Sequence, residues 1–165
     1  MEIRAATALD VPAVLPMVAQ ICALHEKWDA AKYAFRADPA SMYEPWLKQR
    51  AADARSVFLV AERQMSDGGR LAGFIVGTVE REVGIYRLKE YGFLHDLWVE
   101  PAYRHEGIGR QLAMMAVERF TQMGVKQVRL DTAGPNEAAR RLFESCGFRT
   151  SAVEMLIELE RVDEG

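Results

Sequence analysis

The run "GFLHDLWVEPAYRHEGIGRQLAMM", residues 92–115, constrains the fold more than any other part of the chain. Its first ten residues mix aromatic and aliphatic side chains and end at Pro101, which reads as a strand and its stop. Two glycines one residue apart, Gly107 and Gly109, then lead into apolar positions Ile108, Leu112, Met115, Ala116 and Phe120. That is helical spacing, and Gly124 supplies its C-terminal stop. A strand, a glycine loop and a helix in that order need a sheet with a helix laid on it, so the fold class is α/β (α+β mixed).

The remaining elements fit that class. "EIRAA" reads as a first strand, and Thr7 or Asp10 as the cap of a helix to about His25, kinked or delayed by Pro16. Residues 28–40 lack periodicity and form a loop; Ser41 and Glu44 then have capping-box spacing before a second helix. Residues 56–62 and 71–80 are β-rich and separated by "SDGGR", a hairpin signal. Residues 81–91 are a connection or strand extension, 125–132 a strand, 135–147 a helix, and "FRTSAVEMLIELE" one or two closing strands. No repeat or linker divides the chain, so one domain over 1–165 is expected.

Composition excludes several partners. The formal charge of −3 and the scattered Lys and Arg give no footprint for nucleic acid. Cys22 and Cys146 lie outside any metal-ligand spacing and read as buried thiols; no metal is expected. The start lacks a secretory signal, and no apolar run approaches the ~20 residues of a membrane span. The expectation is a cytoplasmic protein with no membrane partner.

The glycine loop places unpaired N–H groups at a helix N-terminus, where the helix dipole favours negative charge. Arg104 adds a guanidinium fork, so residues 104–110 read as a cradle for a phosphate or pyrophosphate. A dinucleotide GxGxxG is ruled out because Leu112 holds the third glycine position, and no Walker motif is present. A purely structural turn for tight strand–helix packing is the alternative.

The pattern Leu97, Val99, Pro101, then Arg104, Gly107 and Gly109, resembles the signature of the GNAT superfamily of acetyl-CoA-dependent N-acyltransferases. "NEAARRLFESCGF" is similar to the family's later motif. The resemblance implies a central, mostly antiparallel sheet with a splayed parallel strand pair, flanked by helices. It implies that the coenzyme A pyrophosphate lies on the loop formed by Arg104, His105, Glu106, Gly107, Ile108, Gly109 and Arg110. The pantetheine arm would enter beside Leu97, Trp98 and Val99, near Asn136 and Phe143, with Arg140 and Arg141 either reaching phosphate or forming a solvated face.

The reaction that the resemblance implies is attack of an amine on the acetyl thioester of acetyl-CoA. A lysine-like ammonium must lose a proton first, at a cost of about 4–5 kcal/mol at neutral pH, so a positioned base is needed. "LHDLWVEP" resembles the "LEDxxV" strand of polyamine-type acetyltransferases, with His95 in place of the Glu and Asp96 retained. His95 is therefore the candidate base, or else a hydrogen-bonded sheet histidine, with Asp96, Glu80 and Glu62 behind it; Asn136 joins His95 and Asp96 in the candidate catalytic set. Strand alternation sends His95 and Asp96 to opposite faces unless a bulge intervenes.

Phe143 stands where many relatives carry a proton-donating Tyr, which leaves Tyr91, water or unassisted thiolate departure. The acceptor, a small amine or a peptide amino group, is expected against Trp28, Tyr33, Phe35, Tyr43, Tyr86 and Tyr91, with Glu26, Asp29, Glu82 and Glu90 nearby. The same aromatics could instead staple the loop to the core. A non-catalytic acyl-CoA-binding module is the alternative function, binding of ATP a weaker one. The family's layout also suggests a homodimer through "AVEMLIELE".

Overall fold

Alternation along two central strands builds both faces of the sheet. In β2 (Ser56–Arg63), Val57 and Leu59 point to one side and Phe58 and Val60 to the other, and all four are buried. In β3 (Arg70–Arg81), Ile75 and Val79 share the first side, Phe74 and Val76 the second. A strand apolar on both faces must be covered twice. The computed structural model, which describes residues 1–66 and 68–159, shows how.

The sheet has five strands in the order β1-β2-β3-β4-β5, with β1 at Glu2–Ala5, β4 at Glu90–Val99 and β5 at Val128–Leu130. All neighbours are antiparallel except β4 and β5, which are parallel. Helices α1 (Val11–Trp28) and α2 (Pro39–Ala52) cover the Phe58/Phe74 face. Helices α3 (Ile108–Gln122) and α4 (Glu137–Ser145) cover the Leu59/Ile75 face through Leu112, Ala116, Phe120 and Phe143. Each large side chain buried this way stabilises the fold by about 1.5–3 kcal/mol. The α/β class and the splayed parallel pair are as expected.

Several boundaries differ from the sequence reading. The first helix runs to Trp28 rather than His25 and is not delayed by Pro16, which forgoes a single bond to the Pro12 carbonyl. Asp10 sits at its N-cap, but its carboxylate is held by Arg4 and Thr7 instead. The second helix starts earlier than Ser41, because Asp38 accepts from the Ser41 N–H (3.2 Å) and Pro39 occupies the first turn. β5 is shorter than 125–132.

The largest difference is at the end of the chain. Residues 148–159 form no strand, and Val153, Met155, Ile157 and Leu159 are each at least 80% exposed. A strand needs a neighbour to satisfy its backbone; among the described residues none pairs with this segment. Glu160, the last residue of the expected strands, lies outside the described residues, as does Asp67 in the β2–β3 hairpin.

Candidate active site

The loop before α3 is shaped by backbone conformation. Gly107, its N-cap, has φ 79°, a left-handed conformation that a side chain would strain, and His105 takes φ 67°. No side chain caps this helix, and Gln111 is the first residue whose N–H bonds back, to the Gly107 carbonyl at 3.1 Å. The N–H groups of Ile108, Gly109 and Arg110 are thus left free for an anion. A Cβ on Gly107 would meet only Gln111 at 3.9 Å, so its approach side is open.

Gly109 has a different job. A Cβ there would lie 2.8 Å from Leu142 Cδ1 and 3.7 Å from Val99 Cγ2. It makes room for α4 and β4 rather than for a ligand, so one glycine of the pair shapes the cradle and the other closes the core. Arg104 donates from Nε to the Val99 carbonyl (2.9 Å) and lies 4.7 Å over the Trp98 ring, which fixes the loop to β4, and among the described residues its two terminal nitrogens have no hydrogen-bond partner.

The strand pair opens beside this loop. β4 and β5 pair only at Gly92–Val128, Phe93–Arg129 and Leu94–Leu130, and β4 then continues from His95 to Val99 with no strand on that side. The register of β4 against β3 also shifts there: Gly77 faces Leu94 and Val76 faces Asp96, so His95 is the extra residue of a bulge. This is the bulge that sets strand alternation aside, so His95 and Asp96 face the same way. His95 contacts Trp46 of α2 (5.2 Å between rings), Asp96 lies beside Tyr43 of α2, and both are on the α1–α2 face.

Around His95 the groups are closely set. Its Nε2 is 2.7 Å from Thr78 Oγ1, which is 2.6 Å from Glu80 Oε1; Glu80 itself is 3.9 Å from the ring. Phe93 presents its ring at 5.1 Å. Burial lowers the His95 pKa below the ordinary histidine value, Glu80 opposes the shift and Arg50 adds to it. The imidazole is accordingly neutral at pH 7, the form that accepts a proton. Burial raises the Asp96 carboxyl, and its Oδ2 has no partner. The same burial pushes up the neighbouring Cys22 thiol and the Tyr43 phenol.

Comparison with known proteins agrees with this fold. The family model described as acetyltransferase (GNAT) family matches residues 22–148. This chain belongs to the GNAT acetyltransferase family. An uncharacterised N-acetyltransferase of Bacillus subtilis, YhfO, is 29% identical over 148 residues, covering 90% of this chain and 89% of that protein. The alanine N-acetyltransferase of ribosomal protein bS18 from Escherichia coli is 27% identical over 90 residues, 54% of this chain and 55% of that one. Among solved structures, a tetramutant of BH1408 from Bacillus halodurans superposes with TM-score 0.81 at 22% identity, over 96% of this chain and all of that one. Glucosamine-6-phosphate N-acetyltransferase from Arabidopsis thaliana gives 0.68 at 16%, over 96% and 98%. The last two likenesses carry the GNAT fold.

The other residues singled out by sequence are distributed unevenly about this loop and strand pair. Asn136 caps α4, its Oδ1 accepting from the Ala139 N–H at 3.1 Å. Arg140 donates to the Gly134 carbonyl, and Arg141 pairs with Glu137 on a solvated face. Phe143 is buried against Phe148. The Trp98 side chain packs on the α1–α2 face, away from Leu97 and Val99. His105 is exposed, and Glu106 sits 3.8 Å from Arg63. Glu62 is bound by Arg4 (2.9 Å) against β1, remote from His95 in the sheet order, and drops out as a base.

Apart from Tyr43, which packs on Trp46 at 5.4 Å, the expected acceptor aromatics do not converge on His95. Trp28 and Tyr33 pack on His25, and Phe35 stacks on Tyr33. Tyr86 is exposed, and Arg129 covers the Tyr91 ring at 3.9 Å. Two of the acids expected to attract a cation are paired as well, Glu82 with Arg129 and Glu90 with Arg55. The groups that do surround His95, namely Thr78, Trp46, Phe93 and Arg50, were missed. The helical spacing of Tyr43, Trp46 and Arg50 is the signal that marks them as one face of α2. Among the described residues no cluster of metal-binding side chains occurs, and no helix is long and apolar enough to cross a membrane.

Proposed function

We propose that the chain transfers an acetyl group from acetyl-CoA to a primary amine of a small molecule or peptide, both substrates being bound together, with His95 as the base. One observation carries this reading. The neutral His95 ring sits on a bulge at the point where β4 and β5 part, on the strand that leads directly to the uncapped N-terminus of α3. Acetyl-CoA supplies the electrophilic thioester carbonyl.

The chain's own groups divide the work. The free amides of Ile108, Gly109 and Arg110, with the outer nitrogens of Arg104, fit a pyrophosphate. The unpaired edge of β4 over 95–99 fits an extended amide-bearing arm, except that the Val99 carbonyl is already taken by Arg104. Asn136 has its side-chain N–H groups to offer, because its Oδ1 is committed to α4. His95 removes a proton from the ammonium and holds it while the amine attacks. Phe143 has no proton for the thiolate; as the C–S bond breaks, the second proton that the nitrogen sheds on becoming the amide passes to the sulfur through water. Asp96, buried with no partner for Oδ2, holds the floor of the site rather than meeting substrate.

Two copies would pair through residues 151–159, whose exposed Val153, Met155, Ile157 and Leu159 alternate as a strand's do.

The test is a thermal shift with acetyl-CoA, coenzyme A, ATP and NAD, followed by thiol release with a panel of amines. Ligand at a hundred times its dissociation constant adds about 2.7 kcal/mol, or roughly 5–11 °C for a chain of this size. Stabilisation by ATP or NAD alone overturns the cradle. Stabilisation by acetyl-CoA with no thiol release from any amine favours the binding-module reading. His95→Gln should lower turnover about 10²–10⁴-fold while the coenzyme A affinity stays unchanged.

A further inference from the structure

Thr78 is a polar residue in the buried core, 5% exposed on β3. A valine would fill the same volume without a hydroxyl, and a buried hydroxyl is costly unless both its bonding capacities are used. Here they are used, by Glu80 at 2.6 Å and His95 at 2.7 Å. We infer that Thr78 is the positioning residue of this site: it couples Glu80 to His95, fixes the imidazole as the tautomer protonated on Nε2, and leaves Nδ1 as the atom that takes the proton.

The inference follows from counting protons. A hydroxyl has one hydrogen to give and lone pairs to receive others. Two oxygens at 2.6 Å with no hydrogen between them repel, whereas that distance is normal for a hydroxyl donating to a carboxylate. A carboxylate has no hydrogen to give, so the Thr78 hydrogen lies toward Glu80. Only lone pairs of Oγ1 then face His95, and the 2.7 Å contact requires Nε2 to carry a hydrogen. A neutral imidazole has one N–H, so Nδ1 bears the lone pair.

The proton step then balances. An N–H bond of the substrate ammonium breaks, its electron pair stays on the amine nitrogen, and the Nδ1 lone pair forms a new N–H bond. The ring becomes a cation with both nitrogens protonated, and Nε2–H keeps donating to Thr78 without rearrangement. Glu80, 3.9 Å away and 45% exposed, offsets the new charge, while Arg50 of α2 opposes it. Trp46 and Phe93 enclose the ring without titrating. Thr78 touches no substrate; it acts through His95. The proton step rests on the reading of His95 as the base, whereas the tautomer does not.

Nitrogen NMR of histidine-labelled protein above neutral pH reads the tautomer directly, His95 being separated from His25 and His105 by the spectrum of His95→Gln. The expected state is protonated on Nε2. Thr78→Val should erase that preference and lower kcat on the order of tenfold to a hundredfold, with KM for both substrates unchanged, and Thr78→Ser should restore both. Glu80→Gln keeps the fold intact at a partly exposed position; its amide can donate to Thr78, which frees the hydroxyl to donate to Nε2 and moves the proton to Nδ1. A wild-type ring protonated on Nδ1, or the same tautomer and rate in Thr78→Val and Glu80→Gln, overturns the inference. If no amine is acetylated, the base assignment fails and the tautomer measurement still decides the role of Thr78.

Discussion

The Phe120 ring of α3 lies over two glycines on adjacent strands, and replacing one of them tests how tightly the helix is seated. A Cβ on Gly92 would stand 2.8–2.9 Å from three atoms of that ring; one on Gly77 would stand 3.0 Å from its Cζ and 2.8 Å from the Phe93 carbonyl. Carbon atoms rest at about 3.5–4.0 Å, so Gly92→Ala asks the ring to withdraw by roughly 0.7–1 Å. Phe120 is 0% exposed and has nowhere to go. Overpacking of this kind costs about 1–3 kcal/mol, offset by about 0.4–1 kcal/mol from a less flexible unfolded chain.

The net loss is about 1–2 kcal/mol, a fall in Tm of roughly 2–8 °C. Urea and thermal melts should show it, and the same change in a Phe120→Leu background should cost less by at least ~0.5 kcal/mol. Gly84→Ala, where a Cβ meets nothing within 4 Å, is the control. A Gly92→Ala protein as stable as its parent, or a cost independent of residue 120, would refute the reasoning.

The acetylation rate should rise with pH through a histidine-like limb lying below about 6.5, because burial depresses the His95 pKa; Arg50→Gln should move that limb upward, and a limb that survives in His95→Gln sinks the assignment. Asp96 has its pKa raised by burial, so its protonated form supports the fold and that support is lost as pH rises from about 4; Asp96→Asn should therefore melt higher than the parent at pH 7.5 and close to it at pH 4.5. Asp10 shows the opposite sign: Arg4 holds its carboxyl at about 2, so its contribution is present above about 4 and is lost as pH falls toward 2, an acid-limb loss that Asp10→Asn should abolish. Sedimentation at rising concentration should approach twice 18.6 kDa, and Ile157→Asp should hold the protein at a single copy; an unchanged mass would remove residues 151–159 from the interface.

What was legible in the sequence was local. An uncapped helix start at the glycine loop and a strand stopped before Pro101 are each set by a few adjacent residues and stand where the sequence put them; the left-handed turn at Gly107 is a detail that the structure adds. His95 was visible as chemistry, but its surroundings were not. Thr78 and Glu80 are a strand away, and Trp46 and Arg50 come from a helix some fifty residues earlier. That Gly109 also makes room for α4 was hidden, because nothing local reveals Leu142 behind it. For the aromatics of the 28–40 loop composition cannot tell an acceptor wall from a staple, and the packing of Trp28 and Tyr33 on His25 needed the structure. The closing strands were read from alternation alone, which specifies a face without supplying a neighbour.

The one-residue irregularity in β4 has a consequence for how such a chain can vary. Up to Leu94 the even positions of the strand face α3; from Asp96 onward the even positions face α1 and α2. His95 is the residue that changes the phase. Deleting it would let the ladder run on unbroken and leave Leu94, Asp96, Leu97, Trp98 and Val99 each on the side it now occupies. Substituting it keeps the phase and loses the imidazole. The position is therefore one that neither layer of the core requires: what a lineage would lose by dropping it is the imidazole and its place beside Thr78, not the packing of the sheet.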